Sequence, residues 1–202
     1  MDYNEIQKYY QEKLIQFGPT AEGMDWKNES TQYLRFEKIK DFISFENSPS
    51  ILDVGCGASE FFNFCLKNQL SCSYLGLDLV KEMVQFSNDR FDKEVAICGD
   101  LDGLDKSNMF DYVIASGTFN AKLNSSNEEW EKFFHENIVK MYEICNKGVI
   151  FNCMTEHVDW EYERLYYPNI SNLTSFIVKN ISRKFHINHS YDLYEMTIFI
   201  VK

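Results

Sequence analysis

Four short clusters in this sequence have residue types and spacings suited to chemistry. Asp53-Val-Gly55-Cys-Gly57-Ala-Ser59 sets two glycines in alternation behind a carboxylate, directly after the apolar run 50–54. Glycines there let backbone approach a ligand closely, and a helix opening behind them points its N–H groups at it. Asp78 closes a second apolar run, 23 residues after Gly55, where a carboxylate can accept both hydroxyls of a ribose. Asp100 follows Gly99 at the end of a third run, and Ser116-Gly117 closes a fourth. The plainer readings are turn glycines at 55 and 57, a helix cap at Asp78, and Asp102 or Asp105 as loop carboxylates beside Asp100. Asp53 is expected to hold the glycine loop together with Arg35 or a backbone amide, away from the chemistry.

These clusters lie on one rim only if the intervening chain alternates strand and helix. The apolar runs 50–54, 73–78, 94–98, 110–115 and 147–153 read as five strands. Residues 60–68, 80–91 and 128–145 carry apolar side chains at helical spacing, the last at 130, 133, 134, 138, 141, 142 and 145. Strands separated by helix-length stretches imply right-handed βαβ units and a mostly parallel sheet covered on both faces. Runs 185–191 and 194–201 are too close for a helix between them and predict an antiparallel pair at one edge. Ahead of this core, residues 3–17 and 31–45 read as helices joined through Gly18-Pro19-Thr20 and Met24-Asp25-Trp26. The expected organisation is one domain over 1–202, with a helical cap at 1–49 and a doubly wound, Rossmann-like seven-stranded α/β core at 50–202. In such a sheet ligands bind outside the carboxyl ends of the strands.

Composition narrows the partners. The 202 residues carry 31 acidic and 20 basic side chains, a formal charge of −11. That disfavours polynucleotides, whose affinity rests on Lys and Arg neutralising phosphates, while leaving room for one small anion in a local basic pocket. The start, Met-Asp-Tyr-Asn-Glu-Ile-Gln-Lys, has no basic and apolar leader character, and no apolar run approaches a membrane span. Six cysteines with no Cys-x-x-Cys pair read as reduced thiols, and a cytoplasmic protein without membrane or nucleic-acid partners is expected. His186 and His189, three apart in a strand, face opposite ways, so no metal site is expected there. With 17 Phe, 12 Tyr and 3 Trp, aromatic residues exceed what a core of this size usually needs.

The motifs over 50–202 resemble those of class I S-adenosylmethionine-dependent methyltransferases. Asp53-Val-Gly55-Cys-Gly57-Ala-Ser59 is similar to the family's first motif, with Ser59 in place of the third glycine. Leu77-Asp78-Leu79 is similar to its acidic second strand end, and Gly99-Asp100-Leu101 to its adenine-binding stretch. Ser116-Gly117-Thr-Phe119-Asn120 stands where the fourth motif faces the methyl group. The resemblance implies S-adenosylmethionine as cofactor and S-adenosylhomocysteine as product. It implies cofactor contacts at Arg35, Asp53, Gly55, Gly57, Asp78, Leu79, Asp100, Leu101, Ser116 and Gly117. A nicotinamide-dependent dehydrogenase is the rival for this architecture, but Glu60 stands at the third glycine of its Gly-x-Gly-x-x-Gly fingerprint. A carboxylate there would repel a pyrophosphate at the helix N-terminus.

The acceptor is less marked. The fourth motif is neither the Asp/Asn-Pro-Pro-Tyr nor the Pro-Cys of nucleic-acid methyltransferases, which favours a small molecule. Its pocket is expected from Tyr9, Lys13, Thr20, Trp26, Phe119, Asn120 and Asn152. An aromatic lid is expected over 152–167, with His157, Trp160, Tyr162, Tyr166 and Tyr167, whose bland alternative is ordinary packing. His157 and Asn120 are the candidate catalytic residues, and no clear base is present; His135 reads as a surface or packing residue. The stretches 18–26 and 116–120 also resemble small bacterial methyltransferases of surface-polysaccharide and capsule clusters. That likeness implies transfer to an oxygen of a sugar, nucleotide-linked or phosphoramidate-type precursor, with Lys13, Lys27, Arg35 and Lys122 as anion partners. A cofactor-binding module without turnover, or a methyltransferase of protein side chains, is the alternative. Sequence leaves the oligomeric state open.

Overall fold

Strand β1 (Ser50–Val54) organises the molecule because every apolar residue in it has a face to bury. In the computed structural model, which describes residues 3–105 and 107–202, β1 pairs in parallel with β2 (Ser73–Asp78) on one side and β4 (Phe110–Ser116) on the other. Met1 and Asp2, the first residues of the opening segment, lie outside the described residues, as does Lys106. The full order is β3-β2-β1-β4-β5-β7-β6, with β3 at Ala96–Cys98, β5 at Cys145–Met154, β6 at Phe185–Asn188 and β7 at Glu195–Val201. Among the strands of this sheet in the described residues, the β5–β7 and β7–β6 pairings are the antiparallel ones. The expected sheet and its C-terminal pair are therefore present, and the chain reverses direction across the sheet between β1 and β4.

Alternation along the strands sends side chains to two cores. Leu52, Val54, Val113 and Ala115 pack with Trp130, Phe134, Ile138 and Met141 of α5 (Asn127–Glu143). Ile51, Tyr112, Ile114 and Ile150 pack instead with Phe36 and Ile39 of α2 (Glu29–Lys40) and with Phe61, Phe64 and Cys65 of α3 (Glu60–Lys67). Helix α4 (Lys81–Phe91) lies against β2 and β3, with Val84 on Ala96 of β3 and Met83 on Ala58 and Val80. Helix α5 starts at a capping box: Ser126 accepts the Glu129 N–H and Glu129 accepts that of Ser126, worth about 1 kcal/mol.

Several boundaries differ from expectation, and one helix was not expected: β3 starts at Ala96, and α5 ends at Glu143 so that Cys145 opens β5. Helix α2 stops at Lys40, since Phe42 and Ile43 turn back to bond the carbonyls of Ile39 and Lys40. Strand β6 stops at Asn188, whose side chain accepts the Ser190 N–H in a turn. A helix α6 (Ile170–Asn180) occupies a stretch with no assigned element; Asn169 caps it, and Leu173 and Ile177 enter the α5 core. Ahead of the sheet, α1 (Tyr3–Phe17) and a 3₁₀ turn at Glu22–Met24 precede α2, with no residue of α1 fully buried. Among the described residues no helix is long and apolar enough to cross a membrane.

Candidate functional site

The loop between β1 and α3 is held open by hydrogen bonds that leave its glycines lining a cleft. Gly55 N–H donates to Leu77 O at 2.8 Å, and Thr118 Oγ1 donates to Val54 O at 2.7 Å. The Asp78 carboxylate accepts Gly57 N–H at 2.7 Å and Val80 N–H at 2.8 Å, so it ties the loop to the start of α4. Burial pushes the Asp78 carboxyl up, and those backbone N–H groups oppose the rise. Asp53, beneath the loop, is pushed up to about 7 by burial, against a stabilising hydrogen bond from Tyr74 Oη and with a further push from Asp78. Its partner is Tyr74 at 2.9 Å, whereas Arg35 pairs elsewhere.

Gly57 has a left-handed backbone, and a Cβ there would lie 2.7 Å from Met24 Sδ. Met24 also takes the Ala58 N–H at 3.5 Å, so the 3₁₀ turn rests directly on the opening of α3. Ser59, at the third-glycine position, likewise has positive φ, a conformation uncommon for a non-glycine residue.

Outside the carboxyl ends of β1, β2 and β4 is a cleft of about 410 Å³, within the range that encloses small ligands. It brings together Gly55, Gly57, Asp78, Leu79, Asp100, Leu101, Ser116 and Gly117. Asp53 lies below this wall and outside the lining. Helix α1 roofs it with Tyr3, Ile6 and Tyr10, fastened where Gln7 Nε2 donates to Leu79 O at 3.0 Å. Asp100 also accepts the N–H groups of Asp102 and Gly103, which sets its turn; Asp102 itself pairs with Lys140. Ser116 Oγ is buried without a hydrogen-bond partner among the described residues. Such an atom normally costs free energy, and it lies in the cleft wall.

At the β4 end the walls are Trp26, Arg35, Phe119, Asn120 and Glu195. Phe119 is fixed from behind, its carbonyl accepting Trp130 Nε1–H at 2.8 Å. Asn152 stands behind the wall, fully buried, accepting Gly117 N–H at 2.8 Å. Arg35 is ion-paired with Glu195, donates to Thr31 O at 2.7 Å, and stacks over Trp26 at 4.2 Å.

The other expected acceptor residues are distributed around the rim. Tyr9, Lys13 and Arg164 converge on Asp25, the first two at 2.9 Å, so their polar groups are engaged with one carboxylate. Thr20 is exposed and shapes the turn, donating to Phe17 O and accepting Gly23 N–H. Lys27 lines the cleft, while Lys122 bonds Ser125 O away from it. His157 is exposed and outside the lining, its N–H bonded to Thr155 Oγ1. From the expected lid, Tyr162 lines the cleft, Trp160 is exposed, and Tyr166 is buried against Phe134. His135 stacks on Phe176 at 3.7 Å, and burial lowers its pKa.

Sequence reasoning missed Glu195, Arg164 and Met24. A charged residue opening the apolar strand 195–201 was the available signal for Glu195; nothing local marks the other two.

The comparisons with known proteins agree with this geometry. A family model described as a methyltransferase domain matches residues 51–140. A Mycobacterium tuberculosis chain assigned as a methyltransferase is 30% identical over 158 residues, covering 76% of this chain and 93% of that one. The malonyl-[acyl-carrier protein] O-methyltransferase of Priestia megaterium is 25% identical over 100 residues, 48% of this chain and 33% of that one. Among solved structures, the Synechocystis magnesium protoporphyrin IX methyltransferase with bound S-adenosylhomocysteine superposes with a TM-score of 0.71. Its identity is 13%, and coverage is 100% of both chains; that likeness speaks for the fold. With the glycine loop, the acidic strand ends and this strand order, the chain belongs to the class I S-adenosylmethionine-dependent methyltransferases.

Proposed function

We propose that this chain transfers the methyl group of S-adenosylmethionine to an oxygen of a small, anion-bearing molecule. The observation that carries the reading is the roofed cleft at the β1–β4 reversal, with the Ser116 hydroxyl buried and unpartnered in its wall. The residues present fit the cofactor chemically. Asp78 keeps lone pairs for hydroxyls, Leu79, Leu101 and Ile6 give apolar walls for a base, and Ser116 has a hydroxyl to satisfy. Of the five N–H donors of Arg35, three have partners, which leaves two for a carboxylate. When bound, the cofactor supplies an electrophilic methyl group on a sulfonium.

For the acceptor, the chain's work is alignment and exclusion of water. Trp26, Phe119 and Asn120 form the inner wall, and Lys27 is a cation on the lining that pairs with no carboxylate among the described residues. It favours an anionic group on the acceptor, whereas Arg164 at the rim is committed to Asp25. A sugar, nucleotide-linked or phosphoramidate-type precursor of bacterial surface polysaccharide meets that description. None of the residues lining the acceptor end is a histidine, and an acceptor oxygen that is already anionic needs no base. Calorimetry with S-adenosylmethionine and S-adenosylhomocysteine should show binding that Asp78→Ala weakens. A screen with methyl-labelled cofactor then identifies acceptors. Binding without label transfer to any small molecule would overturn the reading in favour of a non-catalytic module, and labelled protein would move it to side-chain methylation.

A further inference from the structure

The buried carboxylate of Glu195 is the least expected group in the site. It opens β7 opposite Met154 of β5, is 2% exposed, and lies in a strand whose other residues are apolar apart from Thr197. A buried ion pair is weak grounds for stability, because desolvating two charges offsets much of their attraction. Its placement therefore asks for another account.

Four donors meet this one carboxylate. Arg35 Nε donates to Oε2 at 2.7 Å and its terminal nitrogen to Oε1; Asn152 Nδ2 reaches Oε2 at 2.7 Å and Asn120 Nδ2 reaches Oε1 at 3.4 Å. Each donor side chain is engaged at its other end with the cleft wall. The Arg35 guanidinium carries the Trp26 ring at 4.2 Å. The Asn152 carbonyl holds Gly117 N–H at 2.8 Å, and the Asn120 carbonyl holds Met154 N–H at 3.2 Å. Three pieces of wall from the N-terminal cap, the loop after β4 and the end of β5 thus converge on one anion 160 residues from Arg35.

Resting on the reading of this cleft as the transfer site, we propose that Glu195 is a positioning residue for methyl transfer. It fixes Trp26, through Arg35, against the Gly117–Asn120 loop. Both of its oxygens are occupied by these donors, so it acts through its neighbours.

The test compares Glu195→Gln with the paired replacement Arg35→Met/Glu195→Met. Removing both charges avoids leaving a buried arginine uncompensated, which destabilises a single variant. Trp26 is read without ligand, as the difference in acrylamide quenching between each protein and its Trp26→Phe counterpart. The Arg35 Nε–H resonance, read by ¹⁵N NMR, reports the ion pair directly. In Glu195→Gln the Nε–H resonance should leave its paired position and Trp26 quenching should rise. In the same Glu195→Gln protein, which keeps Arg35, S-adenosylhomocysteine should bind roughly tenfold more weakly, the equivalent of 1.4 kcal/mol; in the double variant, folded by circular dichroism, Trp26 quenching should rise. Wild-type quenching in the folded double variant together with wild-type affinity in Glu195→Gln would overturn the proposal. Failure of the wild type to bind S-adenosylhomocysteine would count against the functional reading alone, since Trp26 quenching is measured without it.

Discussion

Trp26 stands so close to Gly117 that a Cβ on that glycine would lie 2.0 Å from the indole Cη2. The glycine also has φ +75°, in the left-handed region that a side chain disfavours. Gly117→Ala should destabilise the protein by about 1–3 kcal/mol through overpacking. It should also weaken S-adenosylhomocysteine binding, because the indole must leave the wall. Thermal unfolding and calorimetry check the two effects separately, and Trp26→Phe in the same background should recover part of the stability.

Asp53 gives the fold a dependence on pH near neutrality. Its carboxyl titrates near 7 when folded, against an ordinary value of 3.8. Because the folded value is the higher one, the group's contribution is fully present below 3.8 and is lost as pH rises through 7. The difference corresponds to roughly 4 kcal/mol across that interval. Asp53→Asn keeps an acceptor for Tyr74 Oη and should flatten the loss, so that the variant is the more stable protein at pH 8. Urea unfolding at pH 5 and pH 8 measures it.

Trp130→Phe removes the donor that fixes Phe119. The indole is buried and its Nε1–H meets Phe119 O at 2.8 Å. Leaving that carbonyl unsatisfied should cost about 1–3 kcal/mol, with a cavity term added. Chemical denaturation gives the magnitude, and acceptor turnover, once a substrate is known, should fall with the displaced Phe119 ring.

Most of the sheet was legible because each strand carries its own local signal. Ile51 and Leu52, or Ile114 and Val113, declare two buried faces by alternation alone, and Gly55-Cys-Gly57 marks its turn without help from elsewhere. What escaped depends on partners far along the chain. Glu195 meets an arginine 160 residues away, and Arg164 meets Asp25 at a separation of 139; neither residue's neighbours predict either pairing. Helix α6 escaped because Ile170–Asn180 buries only Leu173 and Ile177, a face too thin to stand out as periodic.

Asp25→Ala should leave global stability within about 1 kcal/mol, since the ion pairs it removes are partly exposed. It releases Tyr9, Lys13 and Arg164 together, and with them the tie between α1, the turn at Glu22–Met24 and the segment after β5. Hydrogen exchange measured by mass spectrometry should quicken in α1 and stay unchanged in β1 and β4.

The roof over the cleft has a consequence for the rhythm of turnover. Helix α1 buries no residue completely and is pinned by side-chain contacts, Gln7 to Leu79 and the Asp25 group. It joins the rest of the chain through Gly18, at φ +69° with open space where a side chain would go. A door hung in this way can swing without disturbing a single strand pairing. On the proposed reading, cofactor would exchange past a helix held by these polar ties and by Ile6, Tyr10 and Leu14 against the core. Under the proposed function, the cap would govern cofactor exchange and the wall at Glu195 would govern alignment, as separate parts of the molecule.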